Sequence, residues 1–140
     1  MTLAHPPAPG YSAPGVKGLT DGFVGRSAEF LNPQWLGFEG KNIDATIDLR
    51  KPTDLHEVGG HFLQYTQGGL YVPGAVEVFV SDDGMAFKKV ATIRRKQDSG
   101  RASVHTLSAK LSGVKGRFVR LVAHTNGLWL FVDELFVNPE

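Results

Sequence analysis

Val76-Glu77-Val78-Phe79-Val80-Ser81-Asp82-Asp83-Gly84 decides the fold of this chain. Successive side chains of an extended strand point to opposite faces. Val76, Val78 and Val80 therefore share one apolar face, and Glu77 and Phe79 take the other. The Asp83-Gly84 pair that follows is a tight-hairpin signal, so the chain is expected to turn back into a second strand over Lys89 to Arg94. A lone hairpin cannot bury its valine face and needs more strands around it.

Those strands appear on both sides. Towards the N-terminus, Ala45-Thr46-Ile47-Asp48-Leu49 is β-rich and stops at Lys51-Pro52, and Val58 to Gln64 runs to the Gly68-Gly69 pair. Towards the C-terminus come Val104 to Leu111, Arg117 to His124 and Leu128 to Val137. No segment carries an i, i+3, i+4, i+7 apolar stripe, and 17 glycines and 8 prolines punctuate the runs. The expected fold is all-β, an antiparallel jelly-roll β-sandwich of about eight main strands.

Strand parity then sorts the loops. If consecutive strands run antiparallel, the segment before Ala45, loop 65–74, loop 96–103 and turn 124–128 fall at one end. The turns at Lys51 to Leu55, Asp82 to Gly84 and 112–116 fall at the other. The first end has the longer loops and the aromatics Trp35, Tyr65, Tyr71 and Trp129, and binding sites on rigid sandwiches normally sit in such loops.

The bulk properties exclude more than they assign. At 140 residues the chain fits one domain with a real core. A net charge of +1 provides no electrostatic argument for nucleic acid or an anionic membrane. The absence of cysteine excludes disulfides, thiolate metal sites and cysteine nucleophiles. Residues 1–15, rich in proline, are expected to be a linker, with the sandwich over residues 16–140. No G-x-S-x-G, phosphate loop or dinucleotide fingerprint is present, and no carboxylate pair is placed by a motif, so a catalytic role is not expected.

Flat rings stack on C–H groups and planar polar side chains fix hydroxyls, so a loop end that combines the two is a candidate binding site. The long-loop end offers Tyr65, Gln67 and Tyr71 from one loop, Arg101 from the next, and His124 and Asn126 from a third. Trp35 is added as a candidate platform. Trp129 is read as framework, and His56, His61 and His105 as satisfied or exposed histidines, since no metal-ligand spacing joins them.

Several motifs, in order, also resemble a known family. Leu19-Thr20-Asp21-Gly22, Trp35-Leu36-Gly37-Phe38, Ile47-Asp48-Leu49, Val80-Ser81-Asp82-Asp83-Gly84 with Phe87, Arg117-Phe118-Val119-Arg120-Leu121 and Trp129-Leu130-Phe131-Val132-Asp133-Glu134-Leu135 resemble discoidin-like (coagulation factor 5/8 type C) domains. The wording is similar to the modules appended to family 20 glycoside hydrolases, and implies kinship with family 32 carbohydrate-binding modules. Arg50 stands where that family usually has glycine. The resemblance implies a galactose-binding-domain-like fold and a structural Ca2+ held by Asp21 and Glu134 with carbonyls from about residues 18–27. It also implies a non-catalytic carbohydrate-binding module, monomeric, serving a glycoside hydrolase or surface protein outside the cell or in the periplasm. Its expected partners are a glycan or polysaccharide and a catalytic domain in the parent chain, with no nucleic acid and no membrane insertion. The alternative is a structural or protein-interaction module that binds no sugar.

Overall fold

The computed structural model describes residues 1–12, 35–65, 69–94, 103–125 and 129–139. Among these, the strands are β1 (Thr2–Leu3), β2 (Leu36–Glu39), β3 (Ile43–Gln64), β4 (Ala75–Ser81), β5 (Lys88–Arg94), β6 (Ser103–His124) and β7 (Trp129–Val137). Every strand pairing is antiparallel. The fold is an antiparallel β-sandwich, as expected.

Two long strands build both layers. The first limb of β3, Ile43 to Asp48, pairs with Ala123 to Phe118 of β6, and its second limb, Glu57 to Gln64, pairs with Lys110 to Ser103. The front sheet runs β1, β3 first limb, β6 second limb, β4, β5. The back sheet runs β2, β7, β3 second limb, β6 first limb.

Between the limbs, residues 49–52 of β3 face only residue 117, and residues 111–113 of β6 face only residue 56. Extra residues on one strand of a pair bend it, which lets this ribbon fold over. The bends need left-handed backbone: Arg50 has φ 74° and Gly113 has φ 69°. The turns expected at Lys51 to Leu55 and at 112–116 are thus corners inside continuous strands. Two of the seven strands each serve in both layers.

The core lies between the layers. Val76, Val78 and Val80 point into it as the alternation requires, meeting Leu121, Val119, Ile43, Phe62, Leu130 and Leu135. A second apolar cluster, Trp35, Leu63, Leu70 and Phe131, covers the outer side of the back sheet. Gly37 permits this second cluster: a Cβ there would lie 2.7 Å from the Phe131 ring and 2.9 Å from Tyr11 Cβ.

The proline-rich opening, expected as a linker, lies against the sandwich over residues 1–12. Thr2 and Leu3 pair with Thr46 and Ala45, and Ala4 N donates to Asp44 O. A 3₁₀ turn at Pro9–Tyr11 sets the Tyr11 ring edge-on to Trp129, centroids 5.2 Å apart. Apolar rings with surface to bury outweigh the extended preference of prolines here.

Candidate functional site

Backbone bonds gather the loops at the end that parity selects. Tyr65 and Leu70 exchange N–H···O bonds of 2.9 and 3.0 Å, which closes that loop at its base. Trp129 N donates to Gly69 O, Tyr71 N donates to Trp129 O, and Gly74 N donates to His124 O. Asn42, in the segment before β3, reaches the same place through its side chain. Its Nδ2 lies 3.2 Å from His124 Nδ1, and its Oδ1 accepts from Thr125 N at 2.9 Å. The strand-parity reading therefore holds for the described residues of these loops.

His124 sits in a chain of polar contacts that crosses the front sheet. Its Nε2 meets Glu77 Oε1 on β4, and Glu77 Oε2 accepts from Lys89 Nζ on β5 at 3.3 Å. One tautomer satisfies the chain. Nε2–H donates to Glu77, Nδ1 accepts from Asn42 Nδ2, and the Asn42 amide then aims its oxygen at Thr125 N–H. The His124 hydrogen bond, and secondarily that of Lys89, hold the Glu77 carboxyl below the ordinary carboxylate range. The ring nitrogens of His124 are engaged inside the protein, so what the residue can offer a ligand is its ring face.

Tyr71 is half-buried on the stretch tied to Trp129, next to fully buried Val72. Tyr65 is also half-buried, packed against the Trp35 cluster at the base of its loop. Gln67, Arg101, Asn126 and Asp21 lie outside the described residues.

Trp35 corrects the expectation of a platform. It is only 1 % exposed, and its ring stacks on His61 with centroids 5.9 Å apart. A ring inside a packed cluster has no face to give a sugar. Trp129 is half-buried, edge-on to Phe131 and Tyr11, in the framework role read from its motif. His61 is a satisfied histidine, its Nδ1 2.6 Å from Asp133 Oδ1.

Glu134 is 5 % exposed and follows a register shift in the β3–β7 pairing, where His61 opposes Glu134 and Phe62 opposes Val132. Val132 and Leu135 both face the core. The irregularity leaves Asp133 and Glu134 as two consecutive carboxylates between two core-facing residues. Among the described residues no group of three or more His, Asp or Glu is placed to hold a metal.

Sequence reasoning missed Asn42 and Glu77. Parity placed Asn42's segment at this end and Glu77 on the face opposite the valines. Neither clue says that the two meet through His124, because that contact joins residues 35 positions apart through a third residue on β6.

No protein-family model and no curated protein sequence matches the chain. Solved structures do match it, and they define a class of fold: the discoidin-like sandwich of family 32 carbohydrate-binding modules. The module of AlyQ, solved in complex with 4,5-unsaturated mannuronic acid, superposes with a TM-score of 0.64, covering 99% of this chain and 93% of that one at 12% identity. CBM32-3 from a family 31 glycoside hydrolase of Clostridium perfringens gives 0.62 over 100% of this chain and 89% of that one, at 12% identity. The C-terminal domain of a chitobiase from Bacteroides fragilis gives 0.54 over 88% and 78%, at 17% identity. The likeness is one of fold, and it extends over nearly the whole chain.

Proposed function

We propose that this chain is a non-catalytic carbohydrate-binding module, an accessory domain of a larger glycoside hydrolase or surface protein. The observation that carries the reading is the loop end itself. Three chain segments are hydrogen-bonded together there, and two of them carry the half-buried Tyr71 and His124. Support comes from the fold shared with modules solved with sugars, including CpGH89CBM32-5 in complex with GalNAc-β-1,3-galactose (TM-score 0.50, 23% identity). Gln67, Arg101 and Asn126, read as candidates from the sequence, would supply the planar polar groups. Terminal N-acetylhexosamine or galactose fits this mixture of rings and amides. A single shallow site binds weakly, so tethering to a catalytic domain supplies the effect on a polymer.

The test is a glycan array followed by calorimetry on the full chain. Binding of a neutral or amino sugar that weakens about tenfold in Tyr71→Ala supports the reading, one lost ring contact being of that size. Absence of binding to every such sugar overturns it.

The role places the protein outside the cell or in the periplasm, where polysaccharide is met, acting as a monomer. Among the described residues no helix is long and apolar enough to cross a membrane.

The same reading includes a structural Ca2+. Ca2+ takes hard oxygen ligands, and Glu134 is a carboxylate held buried beside a strand irregularity, which suits it. Glu134 and Asp21 would hold the ion with carbonyls from residues 18–27, and the ion would tie those segments together. A melting temperature that falls with chelator and recovers with added Ca2+ supports the site. One that ignores both removes it.

A further inference from the structure

The outer face of the front sheet carries a feature that the loop end does not use. Register aligns Thr2, Thr46, Arg120 and Phe79 as one row across β1, β3, β6 and β4. These residues alternate with the core positions Ala45, Leu121, Val78 and Val80, so their side chains share the outer face. Arg120 forks onto Asp44, with Nε to Oδ1 at 2.9 Å and Nη2 to Oδ2 at 2.7 Å. The guanidinium also lies over two rings, 5.6 Å from the Phe79 centroid and 6.0 Å from that of Phe87. An open groove of about 240 Å³ lies here, lined by residues 2–4 together with Asp44, Thr46, Phe87 and Arg120.

We propose that this groove is a second sugar site, separate from the loop end and taking one neutral pyranose ring. The proposal rests on the reading of the chain as a sugar-binding module. Four features select the ligand. The volume is below the range of about 300–1,000 Å³ used by drug-sized ligands, which suits contact with a single ring. Asp44 and Arg120 cancel each other's charge, so the groove favours neither a cationic nor an anionic ligand. A carboxylate locked beside a guanidinium still offers lone pairs and N–H groups in one plane, which suits adjacent hydroxyls. Phe87 supplies an apolar wall for the C–H face of the ring, and Thr2 and Thr46 line the same groove. The fork holds both polar side chains in place before any ligand arrives, which lowers the ordering cost of binding.

The experiment is a titration of the isotope-labelled full chain with galactose, N-acetylglucosamine and N-acetylgalactosamine, read by amide chemical shifts, with glucuronate as a charged comparator. The expected result is saturable shifts at Thr46, Phe87 and Arg120 that persist in Tyr71→Ala and are weaker with glucuronate. Phe87→Ala, and independently Thr46→Leu, which fills the groove without altering the fork, should each weaken this binding about tenfold. Shifts confined to residues around Tyr71 and His124 overturn the second site and leave the loop-end reading standing. Face shifts that survive both groove variants also overturn it. Shifts nowhere on the protein overturn both.

Discussion

Asn42 and His124 are joined by a hydrogen bond between Nδ2 and Nδ1, 82 residues apart in sequence, and the same Asn42 side chain holds the Thr125 backbone amide. The Asn42 amide serves both neighbours at once. Asn42→Ala removes the acceptor for Thr125 N–H. A hydrogen bond of this kind is worth about 1 kcal/mol net, so hydrogen exchange at the Thr125 amide should quicken roughly 5- to 10-fold. Unchanged exchange would show that the Thr125 amide is held by other contacts.

Trp35 and Tyr71 separate framework from surface. Trp35→Ala removes a ring that is 1 % exposed and should cost about 3–5 kcal/mol of stability in urea unfolding. The gentler Trp35→Phe should lower the melting temperature while leaving sugar affinity within about twofold, since packing and not contact is lost. Loss of binding with an unmoved melting temperature would return Trp35 to the binding surface.

Arg50 occupies left-handed backbone at φ 74°, where an L side chain is strained by about 1–2 kcal/mol. Glycine relieves that strain, offset by its greater chain entropy when unfolded. Arg50→Gly should therefore raise stability by about 1 kcal/mol, which is roughly 3–5 °C in melting temperature for a chain of this size. The side chain is exposed, so its removal leaves no buried gap. A drop in melting temperature would mean that the Arg50 side chain stabilises the corner more than its backbone strains it.

Half-buried Asp48 and exposed Asp83 contribute to acid sensitivity. The fork from Arg117, helped by the Arg50 amide, holds Asp48 at about 2, below its ordinary 3.8. The amides of Ala86 and Met85, with the Ser81 hydroxyl, hold Asp83 at about 2. Both folded values lie below the unfolded ones, so the native state binds fewer protons between them. The stabilisation is fully present above about pH 4 and is lost as pH falls towards 2. Urea midpoints should fall across that window, and Asp83→Asn should flatten the slope. A slope unchanged in Asp83→Asn would assign the acid sensitivity elsewhere.

The sequence by itself determined the alternation, and with it the fold class. Val76, Val78 and Val80 could only face a core, and the Asp83-Gly84 pair could only reverse the chain, because both are consequences of local backbone geometry. Parity carried this to the loop end, since antiparallel strands must alternate their connections. Tertiary structure alone decided which polar groups meet there. His124 looked like a free ligand for sugar, yet both its nitrogens are engaged by Asn42 and Glu77, partners that no local pattern could name. Trp35 looked like a platform, and its burial depends on Leu63, Leu70 and Phe131 arriving from three other parts of the chain. The turns read at Lys51 to Leu55 and at 112–116 became corners for a related reason. Two strands long enough to serve both layers keep their pairing around the bend, and pairing is a property of two segments, not of one.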